Sequence, residues 1–67
     1  MNIDKYVTQD SNSFFIDADA WNKENDLPIE AGDLLRFNFN ERKYIGKAVP
    51  AFEGDSFFEL QIVKELN

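Results

Sequence analysis

The 67-residue chain contains neither cysteine nor histidine. Without cysteine it has no disulfide, no thiolate nucleophile and no thiolate metal ligand. Without histidine it lacks the usual general base at neutral pH and the commonest transition-metal ligand. Carboxylates alone can catalyse proton transfer, but so short a chain has little material with which to enclose a reaction. We therefore predict a protein that is not an enzyme, with no catalytic residue and no cofactor.

Long apolar runs and glycine-rich loops are also missing. No apolar run approaches the roughly 20 residues of a membrane-spanning helix, and the polar start MNIDKYVTQD is unlike a secretion signal. Gly32, Gly46 and Gly54 are too scattered for a phosphate-binding loop. These features predict a cytoplasmic protein without a membrane partner, and they are equally compatible with a phage or mobile-element origin.

Apolar residues are nevertheless abundant for so short a chain. Hydrophobic residues make up 43% of the sequence and aromatic residues 15%, which is too apolar for a disordered chain. A domain of this size buries only about 60% of its unfolded surface, so large aromatic side chains must supply much of the core. We predict one small domain, which a second copy would help to stabilise as a homodimer.

Period-two alternation of apolar residues predicts most of the secondary structure. In residues 57–63, Phe58, Leu60 and Ile62 fall on one face, which is typical of a half-buried strand. Residues 34–39 alternate in the same way. Further extended runs are expected at residues 5–9, 13–16 and 44–49. The predicted fold is β-rich with one short helix, a small curled antiparallel sheet or partial β-barrel in a single domain.

The short helix is predicted between the second and third strands. Asp17 is a suitable N-cap, and Asp19 places a negative charge at the positive end of the helix dipole. Leu27-Pro28 should end the helix, because proline disfavours helical geometry in the preceding residue. Trp21 has two roles open to it: it anchors the helix in the core, or it is a partly exposed contact residue.

Three features are expected to delimit the later strands. Gly32 should take a positive φ in the turn before the third strand. Residues 40–43, NERK, suit a four-residue hairpin loop. Pro50 should close the returning strand or lie at a sheet edge.

The net charge of −6 arises entirely in the first half of the chain. Residues 1–33 carry eight acids and two lysines, whereas residues 34–67 carry five acids and five cations. Six carboxylates give residues 17–33 a net charge of −5. They are termed the acidic segment: Asp17, Asp19, Glu24, Asp26, Glu30 and Asp33.

The acidic segment lacks the spacing of a calcium loop. Asp17 and Asp19 form a D-x-D pair. A calcium-loop pattern that starts at Asp17, however, places Asn22 where glycine is required and Pro28 where the closing glutamate belongs. We therefore predict no metal site.

Two interpretations of the acidic segment remain. It is a solvated face that keeps a small domain soluble, or it recognises a basic partner, because clustered charges speed encounter and reject wrong partners. We predict a partner-binding surface formed by the acidic segment and Trp21, with the basic surface of another protein as the partner. The protein would then be an inhibitor or an antitoxin-like adaptor that covers a basic site on its target.

A basic stretch in the second half supports an alternative. Residues 36–47 carry four cations against Glu41: Arg36, Arg42, Lys43 and Lys47. Aromatic residues interleave with them, as in proteins that bind single-stranded nucleic acid. A net charge of −6 opposes binding to a polyanion, so nucleic acid is the second choice of partner. Head-to-tail self-association of the acidic helix with the basic hairpin is a third hypothesis.

The stretch FFIDADAWNKENDLPIEAGDLLRFNFNERKYIGKAV resembles the swapped-hairpin AbrB and MazE family, and related double-psi barrel domains share its pattern. The resemblance covers about half of the chain. It rests on the apolar Phe14-Phe15-Ile16, the helix ending at Leu27, Ile29 two residues later, and Gly32-Asp33 opening the strand at residues 34–39.

The resemblance implies an intertwined homodimer that regulates by binding DNA. Basic residues from the early strands and loops of such dimers contact phosphates. Here the corresponding region holds Asp10, Asp17 and Asp19 with only Lys5 and Lys23. The resemblance therefore implies the fold more directly than the DNA-binding role.

Overall fold

The computed structural model describes residues 2–26, 28–51 and 56–66. Its elements are a 3-10 helix (Asp4–Tyr6), strands β1 (Val7–Asp10) and β2 (Ser13–Asp17), helix α1 (Ala18–Glu24), and strands β3 (Leu34–Phe39), β4 (Arg42–Pro50) and β5 (Phe57–Glu65). The strands form one antiparallel sheet in the order β1-β2-β5-β4-β3, curled into a half-barrel. The predicted β-rich fold with one short α-helix is confirmed.

The last strand lies in the middle of the sheet and joins two hairpins. On one side of β5, Leu60 is opposite Phe14 of β2, and on the other side it is opposite Ala48 of β4. Opposite residues in antiparallel strands share a face, so these three side chains form one row across the inner face. The core is complete only when residues from both ends of the chain are paired.

Aromatic side chains fill the inner face of the curled sheet. Phe14 lies at the centre of a cluster, with its ring centroid 5.3 Å from that of Phe37, 5.1 Å from that of Phe39 and 5.3 Å from that of Tyr44. Edge-to-face rings at this spacing add about 0.5–1.5 kcal/mol per pair beyond their burial. On the outer face, Leu34 is 64% exposed.

The predicted inner face of β5 is right for Phe58 and Leu60, which are buried. Ile62 lies opposite Gly46 and so shares that face, but its predicted burial is wrong, because it is 44% exposed. The pairing of β4 with β5 shifts at this point: Ile45 is opposite Lys64, whereas Gly46 is opposite Ile62. The extra residue forms a β-bulge, which disrupts the ladder and bends the strand. The alternation alone gives no sign of it.

The predicted four-residue loop at residues 40–43 is also wrong. Asn40 and Glu41 form a two-residue turn with φ of 50° and 66°, and Arg42 and Lys43 already belong to β4. Two left-handed residues in succession define a type I′ turn, whose twist matches that of the flanking strands. The demand for matching twist outweighs the preference of Glu41 for negative φ.

Local signals elsewhere are mostly correct. Gly32 has the expected positive φ of 93°, and β4 ends at Pro50. The first strand begins at Val7 and not at residue 5, because the preceding residues form the 3-10 helix. Helix α1 ends at Glu24, earlier than expected, and Asn25 is already extended. Leu27, which was expected to end it, lies outside the described residues.

Candidate functional site: the acidic segment and its cleft

The start of α1 uses the first carboxylate of the acidic segment. The backbone N–H of Ala20 donates to Oδ1 of Asp17 at 3.0 Å, which confirms Asp17 as the N-cap. The N–H groups of Ala18 and Asp19 both donate to the carbonyl of Ser56, at 2.9 and 3.2 Å. The helix is thereby fixed beside the first residues of β5, and the Asp17 carboxylate serves the fold.

Trp21 anchors the helix in the core. Its side chain is only 4% exposed, and its ring meets that of Tyr6 edge to face with centroids 5.4 Å apart. Of the two roles open from the sequence, the structure thus shows the anchoring one. The remaining exposed part of Trp21 contributes to the lining of the cleft described below.

Glu24 is the centre of a polar cluster at the end of α1. The Tyr6 hydroxyl donates to Oε2 of Glu24, and Nζ of Lys5 lies 3.1 Å from the same oxygen. The Tyr6 hydrogen bond, and then that of Lys5, lower the pKa of the Glu24 carboxyl. The hydrogen bond with Glu24, followed by that with Tyr6, raises the pKa of Lys5. The cluster joins the 3-10 helix to α1.

Two further acids are engaged locally. Oδ2 of Asp19 lies 3.2 Å from Nζ of Lys23 across one helical turn, an exposed pair of small energetic value. Oδ2 of Asp33 accepts the backbone N–H of Glu30 at 2.9 Å and closes the turn before β3. The carbonyl of Asp33 also accepts from the N–H of Ala48 at 2.9 Å, so the turn is fixed to β4.

Asp26 and Glu30 are different. Both side chains are exposed, and within residues 2–26, 28–51 and 56–66 neither carboxylate takes part in a hydrogen bond or an ion pair. The structure thus divides the acidic segment by role. Asp17, Glu24 and Asp33 stabilise the fold and Asp19 is paired, whereas Asp26 and Glu30 are the members most available to another molecule.

A cleft of about 650 Å³ opens between the 3-10 helix and the end of α1. Seven residues line it: Asn2, Lys5, Tyr6, Trp21, Glu24, Asn25 and Asp26. Sequence reasoning identified Trp21, Glu24 and Asp26 from this list but missed Lys5 and Tyr6. Those two precede β1 and reach the helix only through tertiary packing, so no local pattern could have linked them to the acidic segment.

The structure groups most of the predicted basic residues. Arg36, Lys43 and Lys47 alternate with inner-face residues and so project from the outer face of β3 and β4. Lys64, opposite the outer-facing Ile45, joins them from β5. Arg42 is separated from this set: it has inner-face parity, and its Nη1 lies 3.8 Å from Oε1 of Glu65.

In the described part of the chain, the acids are not gathered into any group of three or more that could hold a metal ion. No helix among the same residues has both the length and the apolar character needed to cross a membrane. Comparison with known proteins gives no match to a protein family, a curated protein or a solved structure.

Proposed function

We propose that the protein is a non-enzymatic interaction module of the cytoplasm, an inhibitor or adaptor that binds a basic surface on a partner protein. One observation carries this proposal. Residues 17–33 concentrate a net charge of −5, and two of their carboxylates, Asp26 and Glu30, are exposed and serve no structural contact among the described residues.

Electrostatics explains what such a surface contributes. A charged patch raises the rate of encounter with an oppositely charged partner and disfavours like-charged ones. Each exposed ion pair adds only about 0–1 kcal/mol of affinity, so recognition depends on the sum of several contacts. At about 0.15 M salt, charges more than roughly 8 Å apart are largely screened from each other. Binding should therefore weaken markedly as salt is raised.

The test compares two double variants of equal charge. Asp26→Asn with Glu30→Gln removes the two unengaged carboxylates of the acidic segment, and Asp10→Asn with Glu41→Gln removes two exposed acids at the hairpin turns. Immobilised proteins are exposed to a lysate of the source organism at low and high salt, and captured proteins are identified by mass spectrometry. Only the first variant should lose a salt-sensitive partner with a basic surface. Undiminished capture by that variant would contradict the proposal.

A second candidate function, a dimeric DNA-binding regulator of the swapped-hairpin type, is favoured by one observation. Arg36, Lys43 and Lys47 project together from the outer face of the sheet, with Lys64 beside them. This candidate predicts a dimer by light scattering and a duplex affinity that falls steeply with salt. Changing Lys43 and Lys47 to glutamine should weaken that affinity. A monomer that gives no gel shift at low salt would reject it.

A further inference from the structure

We propose that the cleft between the 3-10 helix and α1 is the receptor for an arginine side chain of the partner, and that Lys5 occupies the arginine's place in the free protein. The inference rests on the proposed function and names the contact by which the partner would be recognised. It also gives Lys5 and Tyr6, which lie outside the acidic segment, a part in binding.

The cleft already holds a cation. Nζ of Lys5 lies 3.1 Å from Oε2 of Glu24 and 5.1 Å from the centroid of the Tyr6 ring. A carboxylate and an aromatic face are the two groups that bind an organic cation best, through a charge-assisted hydrogen bond and a cation–π contact. Tyr6 is held in place by its hydroxyl bond to Glu24 and by Trp21. The receptor is therefore formed before any partner arrives.

Lys5 is a replaceable occupant. Its side chain is 71% exposed although it contacts Glu24, and exposed ion pairs of this kind are weak. An ammonium is a strongly hydrated point charge on a flexible stem, whereas a guanidinium is planar and more weakly hydrated, and it donates through a rigid fork. An arginine therefore satisfies the Glu24 carboxylate and the Tyr6 face better than Lys5 does.

The remaining lining fits a guanidinium. Asp26 adds a second carboxylate to the lining, and Asn2 and Asn25 add two uncharged polar side chains. With Lys5 included, the lining residues carry a net charge of −1, and it becomes more negative if Lys5 swings out. The volume of about 650 Å³ lies within the roughly 300–1,000 Å³ that is typical of pockets for small ligands.

The experiment uses two short capped peptides, glycine–arginine–glycine and its neutral counterpart with citrulline in place of arginine. Each is titrated into the full chain while the indole N–H of Trp21 is followed by NMR. The arginine peptide should shift this signal and the citrulline peptide should not. Lys5→Ala removes the competing cation and should tighten arginine binding about two- to fivefold. Glu24→Gln should weaken it about tenfold.

Each other outcome has a defined meaning. An unmoved Trp21 signal, or Lys5→Ala binding the arginine peptide no better than the unmodified chain, would overturn the inference. Backbone amide shifts at Glu30, which does not line the cleft, without a shift of Trp21 would indicate a diffuse charged surface. That result would overturn the cleft as the binding site but leave the proposed function standing. A mass that rises with protein concentration would assign the occupant to a second copy and overturn the assignment to a partner. The proposed function itself fails only in the capture experiment with Asp26→Asn and Glu30→Gln.

Discussion

The acidic segment and the basic hairpin use charge in different ways. In the acidic segment, Asp17 caps a helix, Asp33 closes a turn and Glu24 receives Tyr6 and Lys5. In the hairpin of β3 and β4, backbone pairing from Leu34 opposite Lys47 to Phe39 opposite Arg42 supplies the order. Irregular backbone needs side-chain acceptors, whereas strand backbone satisfies itself. Carboxylates in a loop-rich region are therefore partly structural, whereas cations on the outer face of a sheet are not needed for its backbone pairing.

The two regions are also anchored differently. The helix of the acidic segment depends on one large side chain, Trp21, packed against Tyr6. The hairpin depends on a close approach, because a Cβ placed on Gly46 would lie 3.1 Å from both Cβ of Leu60 and Cε1 of Phe37. The helix therefore requires a large side chain at position 21, whereas the hairpin requires a residue without a side chain at position 46.

The largest expected effect on stability comes from removing the side chain of Trp21. Trp21→Ala should lower the free energy of unfolding by about 3–5 kcal/mol, because it removes a large buried side chain that packs against Tyr6. In a domain this small, that loss is comparable with the whole stability. Urea denaturation followed by circular dichroism measures it. The control is Leu34→Ala in the hairpin, exposed at 64%, which should change stability by less than about 0.5 kcal/mol.

Adding a methyl group at Gly46 in the hairpin should have the next largest effect on stability. Gly46→Ala should destabilise by about 1–3 kcal/mol, because the new methyl group meets Leu60 and Phe37. The matched change Gly32→Ala meets no atom within 4 Å but must adopt a φ of +93°, which costs about 1 kcal/mol. Equal stability of the Gly46→Ala variant and the unmodified chain would show that the approach there is not tight.

The polar cluster should make the stabilising contribution of the acidic segment depend on pH. The pKa of Glu24 is lowered from its ordinary value of 4.5, so its stabilising effect is present above that pH and is lost as the pH falls through the folded-state pKa. The difference in stability between the unmodified chain and Glu24→Gln should therefore shrink on acidification. In a Tyr6→Phe background this pH dependence should be much smaller, since the hydrogen bond from Tyr6 is the main cause of the shift. A difference that stays constant from pH 7 to pH 2 would refute the linkage.

The smallest expected effect is a gain of stability in the hairpin turn. Glu41 has a φ of 66°, and glycine adopts such an angle without the steric cost that a Cβ imposes. Glu41→Gly should raise stability by about 0.5–1 kcal/mol, measured by thermal denaturation. Asn40→Gly should give less, because asparagine already tolerates the left-handed region better than glutamate does. A larger gain at Asn40 than at Glu41 would reverse this explanation.

Local chemistry in the sequence determined much of this protein. The alternation of residues 34–39, the cap at Asp17 and the positive φ at Gly32 depend only on near neighbours, and all three agree with the structure. Composition likewise excluded thiol and imidazole chemistry, and the charge count located the acidic segment. The resemblance to the swapped-hairpin family and the identity of a partner stay predictions.

Tertiary structure alone decided the rest. The place of β5 between β2 and β4, the bulge that follows Ile62, and the burial of Trp21 all follow from contacts between residues distant in sequence. The cleft is the clearest case, because Glu24 meets Tyr6 across 18 positions of sequence. It depends on the pairing of β1 with β2, which places Val7 opposite Ile16 and so brings the 3-10 helix beside α1.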